Sequence, residues 1–167
     1  MKRPHAFAFA LALAVVASAA PGMAEDIKAG DITIQKPWAR ATPKGAEVGG
    51  AYFVIRNTGA QPDRLTGGTA DFATVEIHQM KNEDGVMKMV ELKDGLPIPA
   101  HGSVGLAPGG YHVMLTHLTH PLNKGETIKA TLTFEHAGAV EVTFPVLAVG
   151  ASGPDAAKGG GMGGMKM

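Results

Sequence analysis

Thr127-Ile128-Lys129-Ala130-Thr131-Leu132, the turn signal His136-Ala137-Gly138 and then Glu141-Val142-Thr143-Phe144 decide the fold class. Successive side chains of a strand point to opposite faces. Ile128, Ala130 and Leu132 therefore share one face, while Lys129 and Thr131 take the other, and Val142 and Phe144 repeat the pattern against Glu141 and Thr143. One face buried and the other wet is the habit of antiparallel sheets.

The same grammar extends upstream. Short segments rich in Val, Ile, Thr, Phe and Tyr recur, split by Gly, Pro, Asn and Asp, and no helix-period stretch longer than two turns lies between Glu25 and Gly150. Strands are expected near Ile32–Arg40, Gly50–Asn57, Arg64–Thr69, Ala73–Met80, Val86–Leu92, Ser103–Leu106, Tyr111–Leu118, Glu126–Phe134 and Val140–Val149. Turn signals such as Asn57-Thr58-Gly59, Asp84-Gly85, Asp94-Gly95, Pro108-Gly109-Gly110 and Asn123-Lys124-Gly125 separate them. Strands at this spacing with no helices between them predict an all-β domain, an antiparallel sandwich or Greek-key barrel.

Composition narrows what such a domain does. The chain has 167 residues, 15 basic and 15 acidic side chains, and no cysteine. Without a basic patch there is no footprint for nucleic acid. Without cysteine there are no disulfides, thiolate zinc sites, iron–sulfur clusters, thiol nucleophiles or blue-copper centres.

The two ends differ from the middle. Met1–Ala24 starts basic (Lys2, Arg3), runs apolar from Ala6 to about Ala20 and closes on small residues, with Gly22 and Ala24 at the −3 and −1 positions of a cleavage site. That layout predicts a cleaved signal peptide. The apolar run is short of the ~20 residues that span a bilayer, so an exported protein without stable membrane insertion is expected. Removing it leaves 143 residues with 13 basic and 15 acidic groups, enough for one domain at 25–150. Ala151–Met167 is mostly Gly and Ala and ends Gly-Met-Gly-Gly-Met-Lys-Met, which predicts a flexible tail.

The seven methionines that remain are placed unevenly. Met80, Met87, Met89 and Met114 lie near His78 and His112, whereas Met162, Met165 and Met167 end the tail. On a strand, His112 and Met114 project together, as do His78 with Met80 and Met87 with Met89. The hairpin register between the last two strands stays open. A loop of Glu83-Asp84 sets His78 opposite Met89; a loop of Asp84-Gly85 sets Met80 opposite Met89; a three-residue loop ending at Gly85 moves both Met to the other face. Two imidazoles and two thioethers form the donor set of Cu(I), since soft sulfur selects a soft ion, whereas zinc and iron prefer other donors.

Beyond the donors, the chain resembles a known family. Lys36-Pro37-Trp38-Ala39-Arg40-Ala41-Thr42, the segment Gly50–Gly59, Asp63-Arg64-Leu65, Glu76-Ile77-His78-Gln79-Met80, Gly85-Val86-Met87-Lys88-Met89 and Pro108–Leu115 are similar to the periplasmic copper chaperones written PCuAC. The signature appears as His78-x10-Met89-x22-His112-x-Met114, and the match runs from about Ile32 to Val149. The resemblance implies a cupredoxin-like β-sandwich with His78, Met89, His112 and Met114 as ligands of one Cu(I). It further implies delivery of copper to the CuA centre of cytochrome c oxidase, alongside a Sco-type thioredoxin-fold protein. Met80 and Met87 are auxiliary candidates, and Met162, Met165 and Met167 are candidates for a second copper at the tail. The family usually has Gly-Leu-Lys after the His-x-Met strand; here Thr116-His117-Leu118-Thr119-His120 stands instead, and His117 and His120 read as solvated loop residues.

No enzyme is expected. His-Glu-x-x-His, Gly-x-Ser-x-Gly and a phosphate-binding Gly loop are all absent from the sequence. A copper storage or resistance protein, binding several Cu(I) with help from the tail, is the alternative, and a metal-free adhesion sandwich is the remaining one.

Overall fold

The computed structural model describes residues 24–155, and the signal-peptide and distal-tail assignments, with Met162, Met165 and Met167, lie outside them. Eleven strands follow in order: β1 Ile27–Ala29, β2 Ile32–Arg40, β3 Val48–Asn57, β4 Asp63–Ala70, β5 Ala73–Glu83, β6 Val86–Glu91, β7 Leu96–Ile98, β8 Ser103–Leu106, β9 Tyr111–Thr116, β10 Thr127–Phe134 and β11 Gly138–Leu147. Seven of them close a barrel in the order β2-β11-β10-β4-β5-β9-β3, because β3 pairs back to β2. The remaining four flank it: β1 on β2, β8 on β3, β6 on β5 and β7 on β4. Closure removes the unpaired edges that would otherwise template aggregation. Among the described residues no helix is long and apolar enough to cross a membrane.

The nine strands read from the sequence are present with ends shifted by a few residues; β1 and β7 are additional, three residues each and too short to show alternation. One pairing departs from the antiparallel expectation. The end of β11 runs parallel to β2, with Val146 beside Ala39 and Leu147 beside Arg40. This junction joins the first and last long strands and seals the barrel.

Alternation fills the interior as the sequence predicts. Ile128, Ala130, Leu132, Phe134, Val142 and Phe144 are buried together with Ile34, Phe53, Ile55, Leu65 and Leu115. Phe53 and Phe144 meet across the barrel, ring centroids 5.9 Å apart. Each such large side chain contributes about 1.5–3 kcal/mol by leaving water.

A bulge in β2 prepares the outer face. Register with β3 shifts between Gln35 and Trp38, and Lys36 sits at φ 48°. The core residues accordingly change parity, from Ile32 and Ile34 before the bulge to Ala39 and Ala41 after it. Trp38 and Arg40 are thereby turned to the outside of the barrel, where Trp38 packs on Tyr52 at 4.6 Å between ring centroids. Arg40 lies over the same Tyr52 ring, 5.8 Å from its centroid.

Candidate metal centre

The β5–β6 hairpin sets the first half of the site. Asp84 and Gly85 both have positive φ, 54° and 84°, which is the two-residue turn whose twist matches the strands it joins. Glu83 therefore pairs with Val86, Asn82 with Met87, Met80 with Met89 and His78 with Glu91. Of the registers open in the sequence, this is the one with the Asp84-Gly85 loop. Met80 faces Met89, and His78 does not face Met89.

The second half comes from β9, the neighbour of β5 on its other side. His78 pairs with His112 and Glu76 with Met114, while Met114 is also beside Gly50 of β3. Glu76, His78, Met80, Met89, His112 and Met114 thus share the outer face of three adjacent strands, since partners directly opposite in a ladder point the same way. The His78 and His112 rings lie 5.7 Å apart and 39° from coplanar.

Beside them opens a cleft of about 460 Å³ whose wall includes Met80, Met89, His112, Met114, Tyr52 and Arg40. Exposure grades across it. His112 is buried, with 6% of its surface accessible, Met80 and Met114 are half-buried, and Met89 at the rim is 48% exposed. Gly50 keeps the floor open: a Cβ there would lie 2.8 Å from the Tyr52 hydroxyl. Met87 does not line the cleft and is 52% exposed further along the hairpin.

His78 lies alongside the cleft and is not part of its lining. Its Nε2 is 2.8 Å from Glu76 Oε2, and Thr116 Oγ1 donates to Glu76 Oε1 at 3.3 Å. His112 Nδ1 faces the Gly110 carbonyl oxygen at 3.3 Å, in the turn that opens β9. Burial pushes the His112 imidazole below its ordinary 6.5, against the opposing pull of the Gly110 carbonyl, and neighbouring His78 lowers it further. His112 is held neutral, the form a metal ligand needs.

Glu76, Gly50, Tyr52 and Arg40 were not singled out in the sequence. Glu76 carried a signal, standing two residues before His78 on one strand. Tyr52 and Arg40 stood only within the segments that carry the family resemblance, and the β2 bulge that sets Arg40 over Tyr52 left no mark on the alternation pattern. His117 and His120 are exposed beyond the end of β9; His120 Nδ1 approaches the Pro121 carbonyl oxygen at 3.2 Å and its ring meets Phe72.

Among the described residues, no group of three or more His, Asp or Glu could hold a metal ion together. A metal at this face would have to recruit the thioethers of the methionines, and thioether sulfur suits soft ions. Closed all-β barrel and His/Met face together define a cupredoxin-like domain of the copper-chaperone class.

Comparison with known proteins agrees. The LpqE-like family model matches residues 32–146. Over 120 residues the chain is 33% identical to "Putative lipoprotein Lxx21020" of Leifsonia xyli subsp. xyli, covering 71% of each protein. It is 34% identical over 104 residues to "Uncharacterized protein RP573" of Rickettsia prowazekii, covering 60% of this chain and 58% of that one. The structure superposes on the copper-bound PCuAC domain from PmoF2 with a TM-score of 0.62 at 32% identity, covering 74% of this chain and 98% of that domain. For the Cu(I) form of DR1885 from Deinococcus radiodurans the TM-score is 0.53 at 32% identity, covering 66% of this chain and 74% of that one. The chain belongs to the LpqE-like family, that of the PCuAC copper chaperones.

Proposed function

We propose that this protein is a periplasmic Cu(I)-binding metallochaperone that holds one copper through His78, Met89, His112 and Met114, with Met80 as an auxiliary donor. The observation that carries this reading is the gathering of two imidazoles and three thioethers on one barrel face, while among the described residues no three His, Asp or Glu are placed to hold a harder ion together. Two structures similar to this one are, by their names, copper-bound PCuAC and Cu(I)-DR1885.

The gradient of exposure suits transfer. Buried His112 anchors the ion, while Met89 at the rim is reachable from outside. Thioethers are neutral and release no proton, so an incoming Met or Cys donor can replace them one at a time. Met89 leaves first in this scheme, before the inner donors let go. The receiving protein is the CuA subunit of cytochrome c oxidase, with a Sco-type thioredoxin-fold protein as the companion. Export by a signal peptide ending at Ala24 places the chain in the same compartment. No catalytic turnover is part of this reading, and the copper-loaded protein should show none.

The Met-bearing tail is read as a second, weaker Cu(I) site. Its described start is held near the cleft: Val149 lines the wall and the Arg40 guanidinium donates to the Ala151 carbonyl oxygen at 3.1 Å. An anaerobic Cu(I) competition titration of the chain from Glu25, alongside His78→Ala and Met114→Ala, tests the whole reading. One tight equivalent weakened by both substitutions is expected. Binding unaffected by either would refute it, and more than two Cu(I) per chain would favour storage.

A further inference from the structure

A buried nitrogen beside the cleft has no partner. Among the described residues, His78 Nδ1 is the one buried side-chain nitrogen or oxygen without a hydrogen bond. Buried polar groups are nearly always paired, because leaving one unpaired costs about 1–3 kcal/mol. The other ring nitrogen is well served, with Nε2 lying 2.8 Å from Glu76 Oε2.

The chemistry of that contact decides which nitrogen carries the hydrogen. A carboxylate oxygen accepts, so Nε2 must donate, and the lone pair of the neutral ring is left on Nδ1. Glu76 is not free to swing away. Its second oxygen receives the Thr116 hydroxyl at 3.3 Å, and its backbone sits opposite Met114 of β9 in the barrel wall. His112 is set the opposite way. Its Nδ1 faces the Gly110 carbonyl oxygen, which also only accepts, so its lone pair lies on Nε2.

We propose that His78 offers Cu(I) its Nδ1, not its Nε2, and that Glu76, braced by Thr116, is the positioning residue that selects this tautomer. The proposal rests on the copper reading above and assigns each ring its donor atom: Nδ1 from His78 and Nε2 from His112. Metal-ligating imidazoles commonly give their other N–H to a carboxylate, which fixes the tautomer and the ring orientation.

Long-range ¹H–¹⁵N correlation spectra of the ring nitrogens test this, recorded on the chain from Glu25 with and without one equivalent of Cu(I). The apo protein should carry the His78 hydrogen on Nε2 and the His112 hydrogen on Nδ1. Cu(I) should shift His78 Nδ1 and His112 Nε2. Glu76→Ala should mix the His78 tautomers, leave His112 unchanged as the internal control, and weaken Cu(I) by about tenfold or more. Glu76→Gln, whose amide oxygen can still accept, should restore the tautomer and most of the affinity. A His78 hydrogen on Nδ1 in the apo protein, a Cu(I) shift at Nε2, or tautomers indifferent to Glu76→Ala would each overturn the proposal. If the wild-type chain binds no Cu(I), the copper reading fails and the donor assignment with it. The apo spectra still report separately whether Glu76 orients the ring.

Discussion

His78 and His112 face one another across β5 and β9, ring centroids 5.7 Å apart, although 33 residues separate them in the chain. Their environments are unequal. His112 is buried and rests on a backbone carbonyl, while His78 is tied to Glu76. A soft ion between such a pair would need sulfur to complete its shell, and the thioethers at hand are Met114 on β9, Met80 on β5 and Met89 on neighbouring β6.

The methionines should therefore separate by position. Met114→Ala and Met89→Ala are expected to weaken Cu(I) by at least about tenfold, a loss on the scale of a disrupted metal site. Met87→Ala, which alters an exposed side chain outside the cleft, should leave affinity within about twofold. Parallel chelator-competition titrations decide it, and equal losses for Met87 and Met89 would contradict the register of the hairpin.

Gly50 should tolerate no side chain without consequence. A Cβ would come within 2.8 Å of the Tyr52 hydroxyl, and Tyr52 is pinned between Trp38 and Arg40. Gly50→Val is expected to destabilise the domain by about 1–3 kcal/mol through overpacking and to narrow the cleft. Thermal unfolding reads the first effect, and the Cu(I) on-rate reads the second.

Asp63 holds the turn between β10 and β11 to the start of β4. Its buried carboxylate accepts from the backbone N–H groups of Arg64, His136 and Ala137 at 2.7, 2.9 and 3.0 Å. Burial pushes this carboxyl up, but the three N–H groups, with help from His136, outweigh that and leave it below the ordinary 3.8. The unfolded chain then binds the proton more readily than the folded one. The contribution is full above pH 3.8 and is lost as pH falls through the folded value. Asp63→Asn removes one accepting oxygen and should cost about 1–3 kcal/mol at neutral pH in denaturant unfolding. The variant should also show a shallower loss of stability in acid.

His112 gives a second pH signature. Burial places its folded value below the ordinary 6.5, so the apo protein should lose stability as pH falls from about 6.5 towards that value. His112→Asn should flatten this segment of the stability curve. A histidine titration followed by NMR should place His112 below the ordinary 6.5.

The strand character of this chain was legible residue by residue. Alternation at Ile128, Ala130 and Leu132 and again at Val142 and Phe144 is local information, as are the Gly and Asn turns between strands. The donor types were legible too, since His112 and Met114 lie two apart on one strand. Which donors share a row was not. Alternation is insensitive to a slip of two residues, so the placement of Met80 opposite Met89 was settled by the positive-φ pair Asp84-Gly85 and by the pairing of β5 with both neighbours.

Tertiary structure alone decided the rest. Barrel closure brings β9 beside β5, and only then do His78 and His112 meet and Glu76 find the Thr116 hydroxyl. The bulge at Lys36 carries Arg40 and Trp38 to the outside against Tyr52 and builds the far wall of the cleft. Sequence by itself determined the residue types and which of them share a face within an uninterrupted strand, because both follow from side-chain chemistry and the two-residue period of a strand. Proximity across strands depends on register and closure, which are properties of the whole sheet.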